Sequence, residues 1–364
     1  MGLLAKHQRW WFVIALGLLA LPPLVQALQP REVISEREAR KLSAAPGFPQ
    51  NLREMLALPR QLDAFLGDHF GLREPLVRAH ALLRYAVQSP PDLRVVYGRD
   101  KFLFFNGDAM IQQSIGLFLR KPDVEKFADF AGGLQARLRA KNIQFLVAVP
   151  PNSATTMSAR LPAWAQQAPA ISEYDLMMQA LAARQVPALD LRIPLRAANA
   201  VQPMYRPADT HWNKLGALLA YNAVVEALRR QDWAIDPAKV FRGLETVPGG
   251  DLARMLGVSA DVSDVDAKID LTPYAPLPLK TFAIDTQREA GGDLTETGRP
   301  GPTVLILGDS FTQHYWRDYF SLHVSRYIFM HHEYCGFMQN LVENYRPDIV
   351  ILAPTERVMF CWAG

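Results

Sequence analysis

The sequence predicts an α/β domain on a mostly parallel central sheet, preceded by an N-terminal membrane helix and a helical arm. Three observations carry this. The runs "IQFLVAVPP" (143–151), "TVLILGDS" (303–310) and "DIVILAPTE" (348–356) are apolar throughout, as strands buried on both faces are. Stretches with helical spacing alternate with them, the pattern of crossover helices covering a parallel sheet. One long apolar stretch stands near the N-terminus, about the roughly 20 residues a membrane span needs.

That stretch runs from Trp10 to Leu28, behind Lys6 and Arg9. Positive charge before it predicts a cytoplasmic N-terminus (1–9), a transmembrane anchor (10–28) and everything after Pro30 outside. A cleaved signal peptide competes, since Val25-Gln26-Ala27 fits a small-residue cleavage site. Residues 30–93 read as a linker and helical arm, with Leu62, Phe65, Leu66, Leu72, Leu76 and Leu83 at helical spacing and breaks near Gly71 and Pro75. "RVVYGRDKFLFF" (94–105) reads as a hairpin opening a catalytic domain of 94–364. Helices are expected over 124–140, 174–184, 215–230 and 336–345. Further strands are expected at "PALDLR" (187–192) and "SRYIFMHH" (325–332). Residues 240–300, rich in Pro, Gly and Asp, read as an elaborated loop.

Of 364 residues, 49% are hydrophobic and 21% charged, with a net charge of +3, which argues against a nucleic-acid binder. Two cysteines, Cys335 and Cys361, exclude a disulfide-built scaffold and a Cys-rich zinc site. They either pair in an oxidising compartment or stay as unlinked buried thiols.

In parallel sheets, functional groups gather where strands end at their carboxyl edge. Three of the apolar strands end at Asn152, Ser310 and Arg357. A serine hydroxyl needs a base to take its proton and a third group to orient that base. "RPADTHWNKLG" (206–216) offers both: Asp209 and His211 at i and i+2 project to one side of an extended segment. The carboxylate can then hold one imidazole nitrogen and leave the other for Ser310, with Trp212 walling the site. Taken singly, Asp209 reads equally as a helix cap, His211 as a packing residue and "GDS" as a capped turn. Asp309 reads as a turn or cap residue.

"GDSF" after an apolar strand resembles the opening block of the SGNH hydrolase superfamily. Ordinary members place the serine first and the Asp and His last, whereas "DTHWN" here precedes "GDSFT" by about a hundred residues. That reversed order is similar to the alginate O-acetyltransferase family of the AlgJ/AlgX type, with Asp-x-His-Trp before Gly-x-Ser-Phe/Tyr. The apolar N-terminus, "GRDKFLFF", "VAVPPN", "GGDLARMLG" (249–257) and "PTER" match as well, so the resemblance runs from about residue 50 onward. The carbohydrate-binding module of the AlgX subtype is not seen, which makes the anchored AlgJ type the closer match.

The resemblance implies an SGNH hydrolase-like three-layer sandwich, with Ser310 as nucleophile, His211 as general base and Asp209 as its orienter. It implies an O-acetyltransferase acting on an exported polysaccharide through an acetyl-serine. It further implies a membrane-bound O-acyltransferase partner that supplies acetyl groups, and a catalytic domain outside the bacterial inner membrane, in the periplasm. A carbohydrate esterase with the same triad, or an idle polysaccharide-binding or assembly subunit, are the alternatives. The Ser310 backbone N–H is a natural oxyanion donor. Asn152, Gln313 and Arg357 are further oxyanion or substrate-binding candidates, as are Trp212 and Tyr315. Each of Asn152, Gln313 and Arg357 fits a capping or surface role too. Phe311, Tyr315, Trp316, Tyr319 and Phe320, at near-helical spacing, read as core, with sugar stacking by Trp316 or Tyr315 the alternative. His314, His331 and His332 lack acidic partners at ligand spacing, so no metal is expected, and no cofactor.

Overall fold

The computed structural model describes residues 2–28, 34–35, 40–90, 92–166, 171–284, 291–313, 315–336 and 340–361. The chain divides into two units. One comprises Met1–Pro91 with Ala253–Val262, the other Asp92–Leu252 with Ser263–Gly364.

In the first unit a helix of 27 residues spans Gly2–Leu28. Among the described residues, no helix is long and apolar enough to cross a membrane. The arm is two helices, Leu52–Asp68 and Arg73–Ala86, neither with a buried residue. Asn51 caps the first by accepting the Glu54 N–H at 2.9 Å. The break falls at Gly71, as its sequence predicts. A Cβ there would stand 2.5 Å from Gln26 N, so only glycine lets this turn meet the N-terminal helix. Pro75 lies within the first turn of the second helix, where proline is tolerated.

The second unit holds the sheet. Its strands are β1 (Gln144–Val147), β2 (Lys280–Ile284), β3 (Gly292–Glu296), β4 (Thr303–Gly308), β5 (Arg326–His331) and β6 (Ile349–Ala353). Their order is β1-β6-β4-β5-β3-β2. The first four are parallel, and β3 and β2 add an antiparallel edge. Every residue of β4 and β6 is buried, which is why neither alternates in polarity.

Alternate side chains feed two cores. Val304, Ile306 and Ile351 join one, packed by the helices Lys214–Ala227 and Tyr315–Phe320. Leu305, Leu307 and Leu352 join the other, packed by Lys121–Arg139, Glu173–Ala183 and Asn340–Tyr345. Helices thus cover both faces of a mixed sheet, the expected three-layer α/β arrangement. The expected hairpin also forms, Val95–Tyr97 against Leu103–Phe105.

Two expectations need correction. The described residues of 240–300 are not one elaborated loop. They contain β2, β3 and a long hairpin of Phe241–Pro248 with Ser263–Ile269. The hairpin eluded sequence reading because acids occupy its inward face: Asp264 and Asp266 are buried where a strand usually places apolar residues. "PALDLR" is not a strand either. Only Ala188 bridges Val147, because Asp190 accepts the Arg192 N–H at 3.0 Å and starts the helix Arg192–Asn199 instead. Residues 337–339 of the helix expected over 336–345 lie outside the described residues. Cys335 and Cys361 form a disulfide across a Cα separation of 5.0 Å, fastening the segment after β6 to the loop after β5.

Candidate active site

Three parallel strand ends are tied together at one edge. Asp309, directly after β4, accepts the Phe311 N–H at 3.0 Å through Oδ1 and the Thr355 N–H at 2.8 Å through Oδ2. It therefore closes its own turn and anchors β4 to the end of β6. Glu356 in turn accepts the Asn152 N–H at 2.7 Å, joining β6 to the segment after β1. On this fastened turn Ser310 opens the short helix Ser310–Gln313 and is exposed.

The "DTHW" segment leaves an isolated Tyr205–Trp212 bridge and enters the helix Lys214–Ala227, which Asn213 caps by accepting the Gly216 N–H at 2.8 Å. Asp209 Oδ1 takes the His211 backbone N–H at 3.0 Å and lies 2.7 Å from Nδ1. The carboxylate at Nδ1 favours the tautomer protonated there. His211 Nε2 stands 2.9 Å from Ser310 Oγ, and in the tautomer protonated at Nδ1 its lone pair is free for the hydroxyl. This is the geometry in which a serine loses its proton to an oriented imidazole.

Burial alone would raise the Asp209 carboxyl. Its bond to His211, the charge that ring carries once protonated and the Arg206 guanidinium 3.0 Å from Oδ2 hold it well below the usual carboxylate range. Asp251 behaves oppositely: burial and the Asp209 charge push it up, against hydrogen bonds from the Thr210 N–H at 2.7 Å and hydroxyl at 2.5 Å. Asp264 is raised by burial, with the Val265 N–H and Arg206 opposing. Gly250 leaves space for Asp209, because a Cβ would stand 2.5 Å from Asp209 Cβ and 2.6 Å from Cγ.

Asp209, His211 and Asp251 bring three ligand-type atoms within 4.8 Å. They are held in the hydrogen bonds above, with Arg206 as the cation beside them. The His331 and His332 rings stack with centroids 4.7 Å apart, and burial pushes His332 down to about 4 against the charge of Asp309. His314 lies outside the described residues.

The remaining candidates divide. Trp212 is fully buried and donates its indole N–H to the Phe311 carbonyl at 3.0 Å, so it joins the two motifs from within the core rather than walling the site. Trp316 is also fully buried, stacked on Trp212 at 5.9 Å, which is the core role rather than sugar stacking. Tyr315 packs partly against the same core, and burial pushes its hydroxyl up to about 12. Gln313 donates to Asp293 at 3.3 Å. Asn152 is 1% exposed; its amide donates to Ser114 Oγ at 3.3 Å, and its Oδ1 has no partner among the described residues. The Arg357 guanidinium lies 5.0 Å over the Phe311 ring, whose centroid is 4.8 Å from the His211 ring. Arg206, Gly250, Asp251 and Asp264 were not singled out by sequence. The "GGD" of 249–251 carried the one available signal, as a block shared with a family but without a role.

A family profile described as "SGNH hydrolase-like domain, acetyltransferase AlgX" matches residues 95–349. No curated protein matches the chain. Among solved structures, PatB1 of Bacillus cereus is similar at 13% identity and a TM-score of 0.54, covering 73% of this chain and 97% of that one. A DHHW family protein from Eubacterium siraeum is similar at 14% identity and a TM-score of 0.52, covering 66% and 86%. The O-acetyltransferase domain of Pseudomonas putida AlgJ aligns at 20% identity and a TM-score of 0.48, covering 73% and 91%. The two likenesses above 0.5 agree with the family in fold. With most of its length matched, the chain belongs to the family of SGNH hydrolase-like acetyltransferase domains of the AlgX type.

Proposed function

We propose that this chain is an O-acetyltransferase that acetylates hydroxyl groups of an exported polysaccharide through an acetyl-Ser310 intermediate. The observation that carries the reading is Ser310 Oγ 2.9 Å from His211 Nε2, with Asp209 2.7 Å from Nδ1. His211 takes the hydroxyl proton as Ser310 attacks the acetyl carbonyl, and returns it to the leaving group as the donor bond breaks. A sugar hydroxyl then gives its proton to His211 and attacks the acetyl-serine; as the Oγ–acyl bond breaks, His211 returns the proton to Oγ, restoring Ser310 and the neutral ring. The Ser310 N–H, which no hydrogen bond engages among the described residues, would stabilise the oxyanion. Asn152, Gln313 and Arg357 are the candidate contributors beside it.

The N-terminal anchor, the periplasmic placement and a membrane-bound O-acyltransferase partner belong to the same proposal. They rest on the apolar residues 10–28 behind Lys6 and Arg9. Alkaline extraction that releases the full chain from membranes would remove the anchor.

A carbohydrate esterase remains the second reading, favoured by the exposure of Ser310, which admits water as the acceptor. The test incubates the full chain with an activated acetyl ester, with and without oligosaccharides. Acetyl-Ser310 by mass spectrometry and acetylated sugar, both lost in Ser310→Ala, support transfer. Acetate release indifferent to any sugar favours the esterase, and no acetyl-enzyme favours the idle binding subunit.

A further inference from the structure

The strand Ser263–Ile269 turns Asp264 and Asp266 to one face, since alternate residues of a strand project the same way. Both are buried, at 1% and 4% exposure, and both are engaged by the segment that carries Asp209 and His211. Asp264 accepts the Ala208 N–H at 3.3 Å, and Asp266 accepts the Lys214 N–H at 3.0 Å. The strand therefore grips residues 209–213 at both ends.

Between those grips lies a chain of alternating charge. Arg206 places one guanidinium nitrogen 3.0 Å from Asp209 Oδ2 and the other 3.3 Å from Asp264 Oδ2. The second also donates to the Pro248 carbonyl at 3.0 Å, which fixes the fork against the hairpin. On the other side, Asp251 Oδ2 stands 3.7 Å from His211 Nδ1. The charged groups around His211 are thus Asp209 and Asp251 at the ring itself, Arg206 on the second oxygen of Asp209, and Asp264 from the second hairpin strand behind Arg206. Arg357, over Phe311, approaches from the end of β6.

We propose that Arg206 and Asp264 are positioning residues that set the charge felt by His211: Arg206 offsets Asp209, and Asp264 offsets Arg206. The proposal rests on Ser310, His211 and Asp209 acting as described above. An orienting carboxylate alone would stabilise the imidazolium to its full extent. A cation on its second oxygen weakens that effect, and an anion behind the cation partly restores it. A hairpin with an acidic inward face therefore has a use that apolar residues there would not serve.

The two groups make opposite predictions. Turnover needs neutral His211, so the acidic limb of the pH profile follows protonation of that ring. Arg206→Gln removes a cation, favours the imidazolium and moves the limb to higher pH, by on the order of one unit. Asp264→Asn leaves Arg206 unbalanced and moves it to lower pH; Asp251→Asn, removing a nearer anion, moves it the same way. Arg206→Lys keeps the charge but not the fork, so the limb stays while the rate falls. The measurement is kcat/KM against pH for the full chain with an activated acetyl ester, beside an NMR titration of the His211 ring. Shifts of opposite sign for Arg206→Gln and Asp264→Asn support the proposal. Lower rates with unmoved limbs, or shifts of one sign, overturn it. If Arg206→Gln does not fold, unmoved titrations in the two Asp→Asn variants overturn it alone. Absence of acetyl-Ser310 in the unaltered chain would remove the acyl-transfer reading, and the ring titration would still decide the charge arrangement.

Discussion

Trp212 and Phe311, 99 residues apart, are joined by a hydrogen bond of 3.0 Å from the indole N–H to the main-chain carbonyl. One residue on from His211 is thereby fixed to one residue on from Ser310. This buried bond ties the segment of the base to the turn of the hydroxyl, beside their own contact of 2.9 Å. Trp212→Phe keeps an aromatic ring but loses the indole N–H, leaving the Phe311 carbonyl without its partner, so it should cost about 1–3 kcal/mol or more. Turnover should fall on the order of tenfold as Ser310 and His211 loosen. Thermal unfolding and kcat check both, and an unchanged kcat would mean that the bond serves stability alone.

Gly250 has a sharper test. Its φ is ordinary, so the constraint is space beside Asp209 rather than backbone conformation. Gly250→Ala should displace the carboxylate and lower kcat on the order of a hundredfold while the circular dichroism spectrum stays the same. Near-normal turnover would show that the segment shifts freely.

Asp209→Asn replaces a carboxylate that accepts from Nδ1 with an amide able to donate to it, inviting the wrong tautomer. The expected loss in kcat is on the order of 10³-fold or more, with the fold intact. A fully active variant would take Asp209 out of the mechanism.

Glu356 predicts a pH effect on stability. Burial raises its carboxyl from 4.5 to about 7, against hydrogen bonds from Thr155 and the Asn152 N–H. The folded state then holds a proton that the unfolded state has released between these values. The contribution is complete below about 4.5 and is lost as pH rises through about 7. Glu356→Gln removes this dependence. Its unfolding free energy should gain on the unaltered chain from pH 5 to 8, by on the order of 2 kcal/mol. Parallel curves for the two proteins over that range would refute the assignment.

Legibility followed how local each signal was. Asp209 and His211 lie two apart, so their common direction needed only an extended backbone, and "GDSF" followed a strand whose burial was visible as unbroken apolarity. The parallel strands β1, β4, β5 and β6 were legible for the same reason. The hairpin over 241–269 was not, because Asp264 and Asp266 replace the apolar alternation by which strands are recognised.

By itself, the sequence determined the chemical repertoire: a serine at a strand end, an Asp-His pair upstream, and apolar segments enough for a covered sheet. Only the tertiary structure decided that Trp212 lies in the core, that Gly250 makes room for Asp209, and that Arg206 stands between two carboxylates. Each depends on segments tens of residues apart meeting within a few ångströms. That proximity comes from the packing of the whole sheet and its hairpin, and no local pattern encodes it.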